Sequence, residues 1–162
     1  MPVKQEIPIE QEVNVQTHSG TNFSAVHTGR FDDLNNCKLK HPKFKRTVNG
    51  KMFLRELLGA TGMQISINSL AGRVSVPFTH KHRQNEEIYL FVKGKGQMQV
   101  DDETIDVEEG SVVRISTDGA RCLRNTLDEP LQFICVQAKE NSLDQDTFDD
   151  GIAGETAPAW PS

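Results

Sequence analysis

Two histidines and a glutamate lie close together near the middle of the chain, at His80, His82 and Glu87. Residues i and i+2 of a β-strand point to the same face with their Cα atoms roughly 7 Å apart, so two imidazoles at this spacing can converge on one ion. A short connection after His82 would return the chain and bring the carboxylate of Glu87 beside them. Two imidazoles and one carboxylate with vacant positions suit a divalent metal such as Zn, Mn, Ni or non-haem Fe(II).

The residues before the histidines predict a strand that turns both imidazoles toward the protein interior. Val74, Val76 and Phe78 alternate with polar or turn residues, and the alternation continues in phase into His80 and His82. Further predicted strands cover 63–67, 87–92, 98–100, 112–115 and 131–136, separated by turns at 94–96, 101–102 and 109–110. Short strands with frequent turns predict an all-β protein, either an antiparallel sandwich or a closed barrel.

Composition divides the 162 residues into three segments of one domain. Residues 1–47 are predicted to form an extended N-terminal arm with one strand and a basic strip at 38–46. The barrel is predicted over 48–140 and an acidic, Gly- and Pro-containing flexible tail over 141–162. Apolar residues at helical spacing within 48–58, followed by Gly59, predict one short helix. Lys51 belongs to a run of basic residues that predicts a solvated surface.

Composition also indicates which partners and which cellular compartment to expect. The net charge is −5, and the aromatic residues among the basic ones are limited to Phe44 and Phe53, so nucleic acid is not expected as a partner. No apolar stretch approaches the roughly 20 residues of a membrane span. The three cysteines are widely spaced and form no Cys-x-x-Cys pair, which indicates reduced thiols and a cytoplasmic location.

Two motifs resemble those of the cupin superfamily. The first runs His80-Lys81-His82, four residues, Glu87, six residues, Gly94, and the second extends from Gly110 to Asn125. The resemblance covers 62–138 and implies a cupin type 2 protein. The fold so implied is a double-stranded β-helix, or jelly-roll barrel, with an N-terminal arm and one short helix. Small cupins pair their barrels, so the resemblance also implies a homodimer.

The chain departs from the second motif at the position that normally supplies a histidine as the fourth metal ligand, which is Arg121 here. An arginine cannot ligate a cation. Arg121 therefore has two interpretations: a salt bridge with Glu87 that replaces the metal, or a clamp on an anionic ligand. Tyr89 and Phe91 share the parity of Glu87 and are predicted to face inward, for packing or for ligand contact.

Three functions follow from these residues, with no catalytic residue assigned. The leading one is a small-molecule-binding cupin with a divalent metal on His80, His82 and Glu87. As an enzyme it would be a dioxygenase-like oxidoreductase or an isomerase. The second is a metal-free module that holds an anionic metabolite through Arg121 and the histidines. The third is a metal-free epimerase or isomerase in which a histidine acts as general base.

Overall fold

The computed structural model describes residues 9–41, 46–146 and 148–161. Before the barrel it contains β1 (Glu10–Glu12), β2 (Gln16–Ser19), β3 (Ser24–His27), a 3-10 helix (Phe31–Asn36), β4 (Lys38–Lys40) and β5 (Val48–Asn49). The elements from there on are β6 (Lys51–Phe53), α1 (Arg55–Leu58), β7 (Gln64–Leu70), β8 (Asn85–Lys93), β9 (Lys95–Val100), β10 (Glu103–Glu108), β11 (Val112–Ile115), β12 (Arg121–Asn125) and β13 (Leu131–Lys139).

Two antiparallel sheets form the barrel. The larger has the order β11-β8-β13-β7-β6, and the smaller has the order β10-β9-β12. Their inner faces enclose a core of Tyr89, Phe91, Met98, Val107, Ile115, Leu123, Leu131, Phe133 and Cys135. Strands β8, β11 and β13 coincide with predicted strands because one face of each is buried, which preserves the period-two pattern. The all-β, jelly-roll class is confirmed.

The N-terminal segment packs on the outer face of the larger sheet. Leu34 of the 3-10 helix is buried there with Met52 and Ile67, and this second core is separate from the barrel interior. Asp32 fixes the same helix to the barrel through contacts of 2.9 Å with Lys93 and 2.8 Å with Gln132. The described part of the arm, residues 9–41, thus contains four strands and a helix rather than the one strand expected.

The helix expected over 48–58 is wrong for most of its length. Only Arg55–Leu58 is helical, while Val48–Asn49 and Lys51–Phe53 are strands. Met52 lies opposite Ile67 and is fully buried, so sheet pairing overrides the helical spacing of the apolar residues. Within the ranges described, no helix has the length and apolar composition that crossing a bilayer requires.

The strand expected over 74–82 is also wrong as a continuous element. The segment runs along β12 but makes only two isolated bridges, Ser75 to Arg124 and His80 to Arg121. Pro77 has no N–H to donate to a ladder, which limits regular pairing here. Val74 is 41% and Phe78 50% exposed, and His80 is exposed too, so the expected inward face of this segment is not buried.

The C-terminal tail makes little contact with the barrel. Every described residue from 141 to 161 is exposed, and the large apolar side chains include Phe148 at 92% and Trp160 at 86% exposure. These side chains bury almost no apolar area and add little to the free energy of unfolding.

We expect the tail to be dispensable for folding. Deleting residues 145–162 should change the melting temperature by less than about 4 °C, which corresponds to roughly 1 kcal/mol. In the intact protein, the fluorescence of Trp160, the only tryptophan, should have the same emission maximum before and after unfolding in urea. A larger drop in melting temperature, or a blue-shifted native emission, would mean that the tail is packed.

Candidate functional site

Glu87 lies on the inner face of β8, between β11 and β13. Its neighbours across the ladders are Ile115 and Gln137, and its side chain shares the inward parity of Tyr89. The expected pairing of Glu87 with the histidines across a ladder does not occur, because β8 pairs with β11 and β13 instead. His82 reaches the carboxylate through its side chain alone. Glu87 is only 4% exposed, so its charge requires partners within the protein.

Both carboxylate oxygens of Glu87 are fully engaged. Oε1 accepts hydrogen bonds from His82 Nε2 and from Gln137 Nε2, each at 3.0 Å. Oε2 accepts one from the Tyr89 hydroxyl at 2.8 Å and two from Arg121, of which the Nε contact is 3.1 Å. This network binds the ionised form of the carboxyl group and leaves little acceptor capacity for a further partner.

Arg121 is held as firmly as its partner. It lies on β12 with 1% exposure, and its Nη1 donates to the backbone oxygens of Gly119 at 3.1 Å and His80 at 3.4 Å. All three guanidinium nitrogens therefore have partners within the chain. A ligand anion at this position would have to compete with Glu87 for the guanidinium.

The pKa values follow from this network. Burial by itself would raise the pKa of Glu87, but hydrogen bonds from His82, Arg121 and Tyr89 outweigh it and hold that pKa well below its usual range. Burial, together with the nearby Cys135 and Glu87, raises the pKa of Tyr89, so the phenol keeps the proton that it donates. Burial and the charge of Arg121 lower the pKa of His80, which favours its neutral form.

His80 and His82 form the solvent-facing side of the Glu87 network, which we call its open side. His80 is exposed and His82 has 26% of its side chain exposed, and their rings meet edge-on with centroids 5.4 Å apart. Two surface depressions, of about 370 and 330 Å³, lie elsewhere and are lined by neither histidine. The solvent-facing members of the network are thus His80 and the exposed part of His82.

His80, His82 and Glu87 meet one requirement of a divalent-metal site and do not meet two others. One potential ligand atom from each of His80, His82 and Glu87 lies within 4.8 Å of the others, as a metal site needs. However, the lone pairs of Glu87 are occupied by hydrogen-bond donors. A buried guanidinium also stands beside the carboxylate and would repel a cation. In this arrangement the residues do not fit a divalent metal.

Sequence reasoning missed two contributors to the barrel interior, Gln137 and Lys51. Gln137 meets Glu87 only through the register of β13 and β8, which no local pattern reveals. Lys51 was expected on a solvated basic surface, but it is partly buried and its Nζ donates to Ser66 and Asn68 on the inner face of β7. The alternation of polar Ser66 and Asn68 with isoleucines is the signal that marks this face.

Comparison with known proteins places the chain in a family. Residues 69–137 match the model of the Cupin domain. A cupin protein from Bacteroides fragilis is 37% identical, with a TM-score of 0.63 over 71% of this chain and 98% of that one. An uncharacterized protein of Methanocaldococcus jannaschii is 31% identical over 60% of this chain and 82% of its own length.

A more distant structure agrees on the fold. A predicted oxalate decarboxylase from Thermotoga maritima is 23% identical, with a TM-score of 0.51 over 59% of this chain and 83% of that one. At this identity the likeness concerns the fold alone. With its two motifs, its two-sheet barrel and a relative matched over nearly the whole of that relative's length, the chain belongs to the cupin superfamily as a cupin type 2 protein.

Proposed function

We propose that this cupin binds a small molecule at the open side of the Glu87 network and does so without a resident metal. The main support is that the guanidinium of Arg121 is buried and hydrogen-bonded to Glu87. It stands at the motif position where a metal-binding cupin has its fourth ligand. The positive charge that a metal would supply to the carboxylate is thereby supplied by the chain itself.

In this proposal His80 and His82, rather than Arg121, contact the ligand. Glu87 orients His82 through the 3.0 Å bond to Nε2, which leaves Nδ1 of that ring for another partner. His80 is exposed beside it and favours its neutral form, which offers one donor and one acceptor. Tyr89 and Phe91 lie deeper, where Tyr89 supports Glu87 and Phe91 packs in the core.

A divalent metal on His80, His82 and Glu87 is the second candidate. The grouping of their ligand atoms within 4.8 Å favours it. It requires Arg121 and His82 to give up their bonds to Glu87. When bound, such an ion would act as a Lewis acid or redox centre.

We also propose that the protein is a homodimer. The outer face of β8 and β11 carries exposed apolar side chains, with Ile88 at 38%, Val92 at 39% and Val112 at 62% exposure. A second copy of this face would remove them from water. Light scattering at micromolar concentration should give about twice the chain mass of 18.1 kDa. A mass equal to that of one chain would contradict the dimer.

Replacing Arg121 tests how much the buried Glu87–Arg121 ion pair contributes to the free energy of unfolding. Arg121→Ala leaves Glu87 charged and buried without its main partner, and we expect a loss of about 3–5 kcal/mol in the free energy of unfolding. The matched control is Arg114→Ala, which removes an exposed arginine bound to Glu86 and Glu140. Exposed ion pairs contribute at most about 1 kcal/mol, so the control should change little. Similar losses in urea titrations of the two variants would show that the Glu87–Arg121 pair is not a buried structural link.

The Arg121→His substitution tests whether Arg121 is the residue that prevents metal binding. The change removes the competing positive charge and completes a His-His-Glu-His set, so Zn²⁺ affinity measured by calorimetry should rise at least tenfold, or about 1.4 kcal/mol. Arg114→His adds an imidazole away from the site and serves as the control. Tight binding of Zn²⁺ by the unmodified protein would instead favour the second candidate. No gain in the Arg121→His variant would mean that Arg121 does not stand in for a metal ligand.

A further inference from the structure

A second polar cluster lies inside the barrel, on strands that do not carry the Glu87 network. Lys51 of β6 stands opposite Asn68 of β7, and Ser66 is two residues before Asn68 on the same face. Through β13 this face continues to Cys135 and Tyr89, so it belongs to the same interior as Glu87. The cluster of Lys51, Ser66 and Asn68 has no part in the contacts of Glu87 described above.

The ammonium of Lys51 is fixed in position by neutral partners. Its Nζ donates to Asn68 Oδ1 at 2.9 Å and to Ser66 Oγ at 3.2 Å, and it lies 4.9 Å from the centre of the Phe53 ring. Asn68 is itself held, since its Nδ2 donates to Ser66 and to the backbone oxygen of Phe133. An ammonium has three N–H donors, and these two hydrogen bonds leave one uncommitted.

The charge of Lys51 has no counter-ion among the described residues. No carboxylate in those parts of the chain lies within 4.0 Å of its Nζ, whereas Lys81, Lys93 and Lys95 each have one. Arg121 is already neutralised by Glu87. Burial lowers the pKa of Lys51, as expected for a cation that lacks a partner.

The registers connect Lys51 to the Glu87 network across the inner face of the larger sheet. Lys51 donates to Ser66, Ser66 lies opposite Cys135, and Cys135 lies opposite Tyr89, whose hydroxyl donates to Glu87. Burial, the larger effect, lowers the pKa of Lys51, whereas the charge of Glu87 acts to raise it. A molecule bound in this interior would therefore lie near a cation that has no carboxylate within 4.0 Å in the described parts of the chain.

We propose that Lys51 is the anchor for the carboxylate of an anionic small molecule bound inside the barrel. The inference rests on the proposed function and names the ligand class. The uncommitted N–H of Lys51 would donate a charge-assisted hydrogen bond to the carboxylate. Ser66 and Asn68 hold the ammonium in place, and the ring of Phe53 offers a surface for an apolar ligand body. Arg121 takes no part, since its donors are used by Glu87 and the backbone.

Calorimetry with benzoate and with neutral benzyl alcohol tests the inference, because the two probes share a ring and differ in the carboxylate. Lys51→Met keeps an unbranched stem and removes the charge, and it should weaken benzoate binding at least tenfold without affecting benzyl alcohol. Lys81→Met is the matched control. It removes a lysine charge between the two histidines, but that side chain is 62% exposed and lies 3.8 Å from Asp118. Benzoate affinity should be unchanged in the control.

The outcomes separate the two proposals. Equal loss of benzoate affinity in the two variants, or no loss in Lys51→Met, would overturn Lys51 as the anchor while small-molecule binding stood. Failure of benzoate to bind the unmodified protein would also overturn it, and binding of benzyl alcohol would then keep the proposed function.

Amine footprinting of the unmodified protein makes the test independent of whether Lys51→Met folds. Reductive methylation with formaldehyde and a borane, read by peptide mass spectrometry, should be slowed by benzoate at Lys51 and not at Lys81. Equal methylation of Lys51 with and without benzoate would contradict the proposal.

Discussion

The burial of one carboxylate constrains the rest of this barrel. Glu87 is 4% exposed, and an isolated ionised carboxylate is very costly to remove from water. Four side chains from three strands and one loop offset that cost, with Arg121 supplying the opposite charge. The two sheets must therefore meet so that β12 faces β8, and this contact joins them by charge as well as by apolar packing.

The same constraint decides what the site can bind. We propose that Arg121, which is hydrogen-bonded to Glu87, takes the place of a metal ligand, so that the carboxylate is a structural group rather than a vacant ligand. The groups that we propose for ligand contact are the exposed His80, the outer part of His82 and the cation of Lys51.

Much of the barrel could be predicted because period-two alternation survives wherever one face of a strand is buried, as in β11 and β13. The prediction failed where tertiary contacts override local pattern. Met52 is buried by pairing with Ile67 and so ends the expected helix, and Pro77 interrupts the strand before the histidines. The grouping of His80, His82 and Glu87 followed from spacing. The contributions of Gln137 and Lys51 did not, since both depend on registers between distant strands.

We propose that the buried Arg121 of this cupin stands where a metal ligand would, so that the native protein holds no divalent metal. Elemental analysis of the protein purified without added metal or chelator tests it most directly, because it reports what the site holds before any titration. We expect the measured contents of Zn, Mn, Ni and Fe each to lie far below one ion per chain. One ion of a single divalent metal per chain, lost on replacing His80 and His82 by alanine, would contradict it.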